Sequence, residues 1–434
     1  MRSVRSGALV LATVLVVGAC GSAGVSPVGS AGGAPSASTS PTPNSTTNAE
    51  TTAGTPAPTA SNPAESVAAS TQPESTFGPG IWRREAPMIY PRVGFDAVLL
   101  GSGSVLAVGD DHACLPGGAL PGSERAELYD PAKDAWVEVE SLGAARKTFA
   151  TVVLPDGSAM VIGGDSSADS SISSTSIFGP AKHSWSDGPA LTAALVEPFA
   201  VSTGDGRVLV VGRPEASGQI YDPHAPGWHL LGTFPGAIDV TNLLALHDGR
   251  VLMLGVPEGA STQAGYLYDP VRGSWAAVDG PSAFAGYTLV ALSDAGALAI
   301  GGLKTADGSA ARDVRRFDPA SRHWTQAASM STGRLGAQVV VLGDGRVLVA
   351  GGATALEPRL AKALQTAEVY DPAADRWASA GALLTPRMDG YAVALADGSA
   401  LVLGGAANFD TNYATPFCPS ALASVERFWP SPPT

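Results

Sequence analysis

Charge is scarce in this chain. Only 15% of its 434 residues are charged, and 26 Lys and Arg against 39 Asp and Glu give a formal net charge of −13 at pH 7. With no global basic field, generic DNA or RNA binding is excluded. The sequence contains no HExxH, no GxSxG and no GxxxxGK[ST], so zinc-protease, serine-hydrolase and P-loop chemistry have no motif to rest on. Its six histidines are scattered; His183 and His323 precede tryptophans and His247 sits beside an Asp-Gly pair, which marks them as turn residues. Cysteine is limited to Cys20, Cys114 and Cys418. The one long apolar run, GALVLATVLVVGA (7–19), is too short for a stable transmembrane helix.

That run follows the positive segment MRSVRS and ends in VGAC, with small residues directly before Cys20. The pattern suits a signal peptide over 1–19 and resembles the lipobox of bacterial lipoproteins, which implies lipidation of Cys20 and export to the outer side of the cytoplasmic membrane or cell surface. Residues 20–77 are dominated by Ser, Thr, Pro, Ala and Gly. Such a composition buries too little apolar surface to offset its ordering entropy, so the sequence predicts a disordered tether.

Glycine (52 residues) and proline (34) are abundant in the remainder, and they recur at intervals. The most regular unit is GDGRVLVAGG (343–352). Degraded copies are GSGSVLAVGD (101–110), PDGSAMVIGG (155–164), GDGRVLVVGR (204–213), HDGRVLMLGV (247–256), DAGALAIGGL (294–303) and ADGSALVLGG (396–405). Each follows an apolar run, and Asp-Gly between two such runs predicts a two-residue hairpin turn with positive φ. A second motif comes after a variable loop, as in AELYDPAKDAW (126–136) and AEVYDPAADRW (367–377). Here the aromatic residue ends a strand, Asp-Pro forms a turn and Trp opens the next strand. Every unit therefore supplies four strands, a and b around Asp-Gly, then c and d around the Asp-Pro turn.

Trp82, Trp136, Trp185, Trp228, Trp275, Trp324 and Trp377 are spaced by 43 to 54 residues and count seven units. The last unit, ending in SVERFWP, lacks a d strand; IWRREAPM (81–88) supplies it from the other end of the chain. This pattern resembles kelch-repeat β-propellers of the kind found in the central domain of galactose oxidases, over residues 78–430, with 431–434 as a tail. The resemblance implies an all-β, seven-bladed β-propeller of four-stranded antiparallel blades, the last closed by an N-terminal strand.

In such a ring the a–b and c–d turns are short and share one face, while the b–c loops and inter-blade connections occupy the other. Long b–c loops fall in blade 1 (110–124), blade 2 (165–175), blade 6 (353–366) and blade 7 (406–423), which are contiguous as 6, 7, 1, 2. Ten residues after a tryptophan, near the start of strand a in each of those blades, stand Arg92, Arg146, Arg334 and Arg387. Two readings apply: a basic arc that binds an acidic protein or glycan, or recurring repeat residues that bond backbone carbonyls between blades. Cys114 and Cys418 lie in loops of neighbouring blades, and an exported protein would join them in a disulfide. GDDHAC (109–114) offers Asp110, Asp111 and His112, with Asp410 opposite, but without recognisable metal-ligand spacing, and no metal or cofactor is expected. Copper chemistry of the galactose oxidase type needs a thioether-linked Cys–Tyr pair and histidines. The expectation is a monomeric, membrane-tethered, non-catalytic binding module working through the loop face of blades 6, 7, 1 and 2. The alternative is a carbohydrate-active oxidase, lyase or epimerase on the same face.

Overall fold

The computed structural model describes residues 79–109, 123–166, 170–213, 217–225, 227–231, 235–281, 284–304, 307–355, 362–409 and 419–431. Cys20, Cys114, Cys418, the signal peptide and tether, and the Asp110–His112 and Asp410 positions lie outside them. Strand is the only regular structure among the described residues, arranged as seven four-stranded antiparallel sheets and two short two-stranded ribbons.

Blade 1 comprises Asp96–Leu99, Val105–Val108, Ala126–Asp130 and Ala135–Glu138, in that spatial order. Blades 2 to 6 repeat it with inner strands Ala150–Val153, Val196–Ser202, Ile238–Ala245, Thr288–Ala291 and Gln338–Val341. Blade 7 takes Tyr391–Ala394, Ala400–Leu403 and Val425–Trp429 from the C-terminal end, and Ile81–Glu85 pairs onto Val425–Trp429 as its outer strand. Each inner strand touches that of the next blade, and Asp96–Leu99 touches Tyr391–Ala394, which closes the ring.

Packing explains why strand b reads as an unbroken apolar run. In blade 1, Val105 and Ala107 face a core shared with blade 7, while Leu106 and Val108 face a core shared with blade 2. Both sides of the strand are buried, so alternation with polar residues vanishes. The same division gives one hydrophobic core at each of the seven blade junctions. Every core holds the strand-c aromatic, and the Trp of the blade's outer strand packs on it, as with Tyr370 and Trp377 at 5.0 Å.

The hairpin turns depart from the two-residue form expected. Gly345 donates to the Leu342 carbonyl at 2.9 Å and only the glycine, at φ 85°, enters the left-handed region. The loop is thus three residues long, a four-residue turn followed by a glycine bulge. Asp344 acts from the middle of it, its carboxylate accepting from Arg346 N at 3.0 Å.

Candidate binding face and its arginine staples

The four arginines singled out by spacing are internal. Arg92, Arg146, Arg334 and Arg387 retain 0%, 2%, 1% and 0% of their exposure, so these four form no basic arc facing solvent. Each guanidinium instead reaches the two ends of its own blade's b–c loop. Arg334 Nη1 donates to Gly351 O at 2.8 Å, where strand b ends, and to Thr366 O at 2.7 Å, where strand c begins. Arg387 does the same to Gly404 O and Ser424 O, both at 2.9 Å. Arg146 bonds Gly163 O at 3.2 Å and Ser174 O at 2.8 Å. Arg92 bonds Gly109 O and, at 3.5 Å, Arg125 O. The side chains therefore work within a blade, whereas the alternative reading had them joining blades.

Joining blades falls to the backbone of the same residues. Gly352 N donates to Arg387 O and Gly405 N to Arg92 O, both at 2.8 Å, and Gly302 N to Arg334 O at 2.9 Å. This accounts for the paired glycines. Gly351 and Gly352 have φ of 63° and 93°, and a Cβ on Gly351 would lie 2.4 Å from Arg387 O. No other residue fits so close to the next backbone.

The coincidence of arginine with long loops follows from this geometry. In blades 3 and 4 the b–c ladder continues to Gly212↔Ser217 and Gly255↔Ala264, so the short loop is closed by strand pairing alone. Where the loop is long its ends need another tie, and the guanidinium provides it. In blade 5, where Ala285 replaces arginine, a short ribbon of Phe284–Ala285 with Leu303–Lys304 helps to hold the connection.

Three acidic residues complete the staples. Glu127 accepts from Arg92 Nε and from Ile89 N, both at 2.7 Å. Glu368 accepts from Arg334 Nη2 at 3.0 Å and Ser331 N at 2.7 Å. Glu426 accepts from Arg387 Nη2 at 2.7 Å and Thr385 N at 2.9 Å. Spacing drew attention to the arginines alone, yet the signal for their partners was present: Glu opens strand c in AELYD, AEVYD and VERFW. Blade 2 has Ser176 there, and Arg146 is left with hydroxyl partners at 2.9 and 3.3 Å. Burial lowers the pKa of Arg146, Arg334 and Arg387, and the neighbouring glutamates oppose it for the last two.

One buried carboxylate has no such partner. Asp389, two residues after Arg387, stands at φ 55° with both oxygens lacking a hydrogen-bond partner among the described residues. Burial alone pushes its carboxyl up to about 8.

A search of family models returned no match. An F-box/kelch-repeat protein of Arabidopsis thaliana is 42% identical over 78 residues, which is 18% of this chain and 19% of that protein. A fungal alcohol oxidase of the AA5 family, solved in complex with copper, superimposes with a TM-score of 0.64 at 18% identity, covering 81% of this chain and 77% of that one. The chain folds as a seven-bladed β-propeller, and a stretch of it is similar to a kelch-repeat protein. It is similar in fold to that copper-bound oxidase, and a likeness at this identity concerns fold alone.

Copper can be tested against the donors in place. Among the described residues no three His, Cys, Asp or Glu side chains come together to hold a metal ion. His183, His224 and His247 lie in turns, and His229 and His323 lie on outer strands. Among the described residues, this donor set does not fit the metal of the structural neighbour.

Proposed function

We propose that this propeller is a non-catalytic binding module, tethered outside the membrane through Cys20, that engages a protein or glycan through the loop face of blades 6, 7, 1 and 2. The observation supporting this reading is that all four arginine-stapled blades carry long b–c loops and occupy contiguous sectors of the ring, while blade 5, whose 301–313 connection is also long, lacks the arginine. A long loop costs little more to close than a short one, but its variable tip contributes to recognition only if its roots are fixed. The staples supply fixed roots at the cost of burying four cations. Recognition is then a property of the loop tips rather than of the arginines.

The second reading, a carbohydrate-active enzyme on the same face, draws on likeness to the AA5 oxidase alone. The deciding experiment is surface crosslinking of the full chain beside a variant whose blade 6 and blade 7 loops are replaced by the short blade 3 connection. Partners recovered by the wild type and lost by the variant support the binding module. Stoichiometric copper with turnover on a sugar panel would replace it with the enzyme.

A further inference from the structure

The Glu that completes three of the staples occupies one ladder position, and blade 5 carries Arg315 there. Its strand-a counterpart is Ala285 rather than an arginine, so blade 5 has no staple for this position to complete. The Arg315 side chain makes no hydrogen bond or ion pair among the described residues, and its Nε is buried without a partner. A half-buried guanidinium left in this way has one unmet buried donor and a charge with no protein partner.

Arg315 lines a groove of about 460 Å³ at the outer junction of blades 4 and 5, together with Trp324, Asp279 and Gln263. That volume is within the range of roughly 300–1,000 Å³ typical of small-ligand sites. The remaining walls are pre-positioned. Trp324 packs on Phe317 at 5.1 Å and donates its Nε1 proton to Asp279 O at 2.8 Å, which fixes the indole plane. Gln263 accepts from Tyr287 Oη at 2.6 Å and is held in place. The Asp279 carboxylate stays accessible at 65% exposure, touched at 2.6 Å by the equally open His323 ring.

We infer that this groove binds a carboxylate-bearing saccharide, such as a uronic acid glycoside. The Arg315 fork matches the sugar carboxylate in a charge-assisted pair, the Asp279 carboxylate accepts from ring hydroxyls, and the apolar face of the pyranose lies on Trp324. Arg315 selects an acidic sugar over a neutral one, and Asp279 serves both alike. The site is on a different sector from the blade 6-7-1-2 loop face and does not depend on that reading.

The test is calorimetric titration of the full chain with glucuronosyl and galacturonosyl disaccharides and their neutral glucosyl and galactosyl counterparts. At least one acidic sugar is expected to bind about ten-fold or more tightly than its neutral counterpart, a ratio that one charge-assisted contact can supply. Arg315→Gln should abolish that ratio, while Asp279→Asn should weaken acidic and neutral sugars by the same factor. Neither side chain supports the core, so both variants should melt with the wild type. Absence of binding by every acidic sugar overturns the inference, as does equal affinity for acid and neutral sugars or insensitivity to both substitutions.

Discussion

Trp82 Nε1 donates a 2.8 Å hydrogen bond to the carbonyl of Ala380, 298 residues away in the chain. The same bond joins Trp136 to Ala86, Trp185 to Glu140, Trp228 to Pro189, Trp324 to Asp279 and Trp377 to Ala328. Five of the six link neighbours made in succession. The Trp82 bond links blade 7 to blade 6 with a residue from the opposite end of the chain, so the ring is fastened by the rule that builds it.

Removing residues 81–88 should therefore unfasten it. The strand Val425–Trp429 would present an unpaired edge, and the blade 6–7 core would lose Trp82 from beside Phe428, 4.9 Å away. The expected outcome is aggregation on purification and loss of a cooperative thermal transition. A soluble truncation that melts with the full chain would refute closure by this strand.

The Arg387–Glu426 pair is buried at 0% exposure on both sides. Replacing Glu426 by Gln strands a cation in the core, and by the behaviour of such pairs should cost about 3–5 kcal/mol of unfolding free energy. Arg387→Gln should cost a similar amount, because Gly404 O and Ser424 O lose their donor. The double variant should lose less than the sum, since each single change already breaks the shared contact. Chemical denaturation of the four proteins measures the coupling directly.

Asp389 makes stability fall as pH rises. The folded state holds the proton up to about 8, while the unfolded chain releases it near the ordinary carboxylate value. The folded protein binds more protons throughout that window, so this residue's contribution is complete at acid pH and lost as pH rises through 8. The slope should approach about −1.4 kcal/mol per pH unit. Asp389→Asn should flatten the profile of thermal midpoint between pH 5 and 8. A wild-type profile unaltered by that substitution would show that the carboxyl is not buried as a neutral acid.

Fold was legible in the sequence because its determinants are local and repeated seven times. Asp-Gly, the apolar run and Tyr-Asp-Pro each act over a few residues, and the position of Trp82 exposed the chain-end closure before any contact was known. The staples were half legible. Spacing located Arg92, Arg146, Arg334 and Arg387, but whether a guanidinium faces solvent or folds back onto carbonyls depends on the curvature of the blade, which no local pattern encodes. The blade 4–5 groove was not legible at all. It depends on Arg315 replacing an acid in a position whose meaning appears only when the seven blades are laid over one another, and on Asp279 arriving from the adjacent blade. The turn form was misjudged for a local reason: Asp-Gly serves a three-residue loop as readily as a two-residue one.

The central claim is that buried arginines fix the roots of the long loops and leave recognition to the tips. Backbone hydrogen exchange on Arg334→Gln tests it most directly. Gly351 N donates to Thr366 O at 3.1 Å beneath the guanidinium, while Gly404 N lies under the intact staple of Arg387. Exchange should accelerate at Gly351 and its blade 6 neighbours and stay slow at Gly404 and Gly163. Unchanged protection at Gly351 in a folded Arg334→Gln protein would contradict the account.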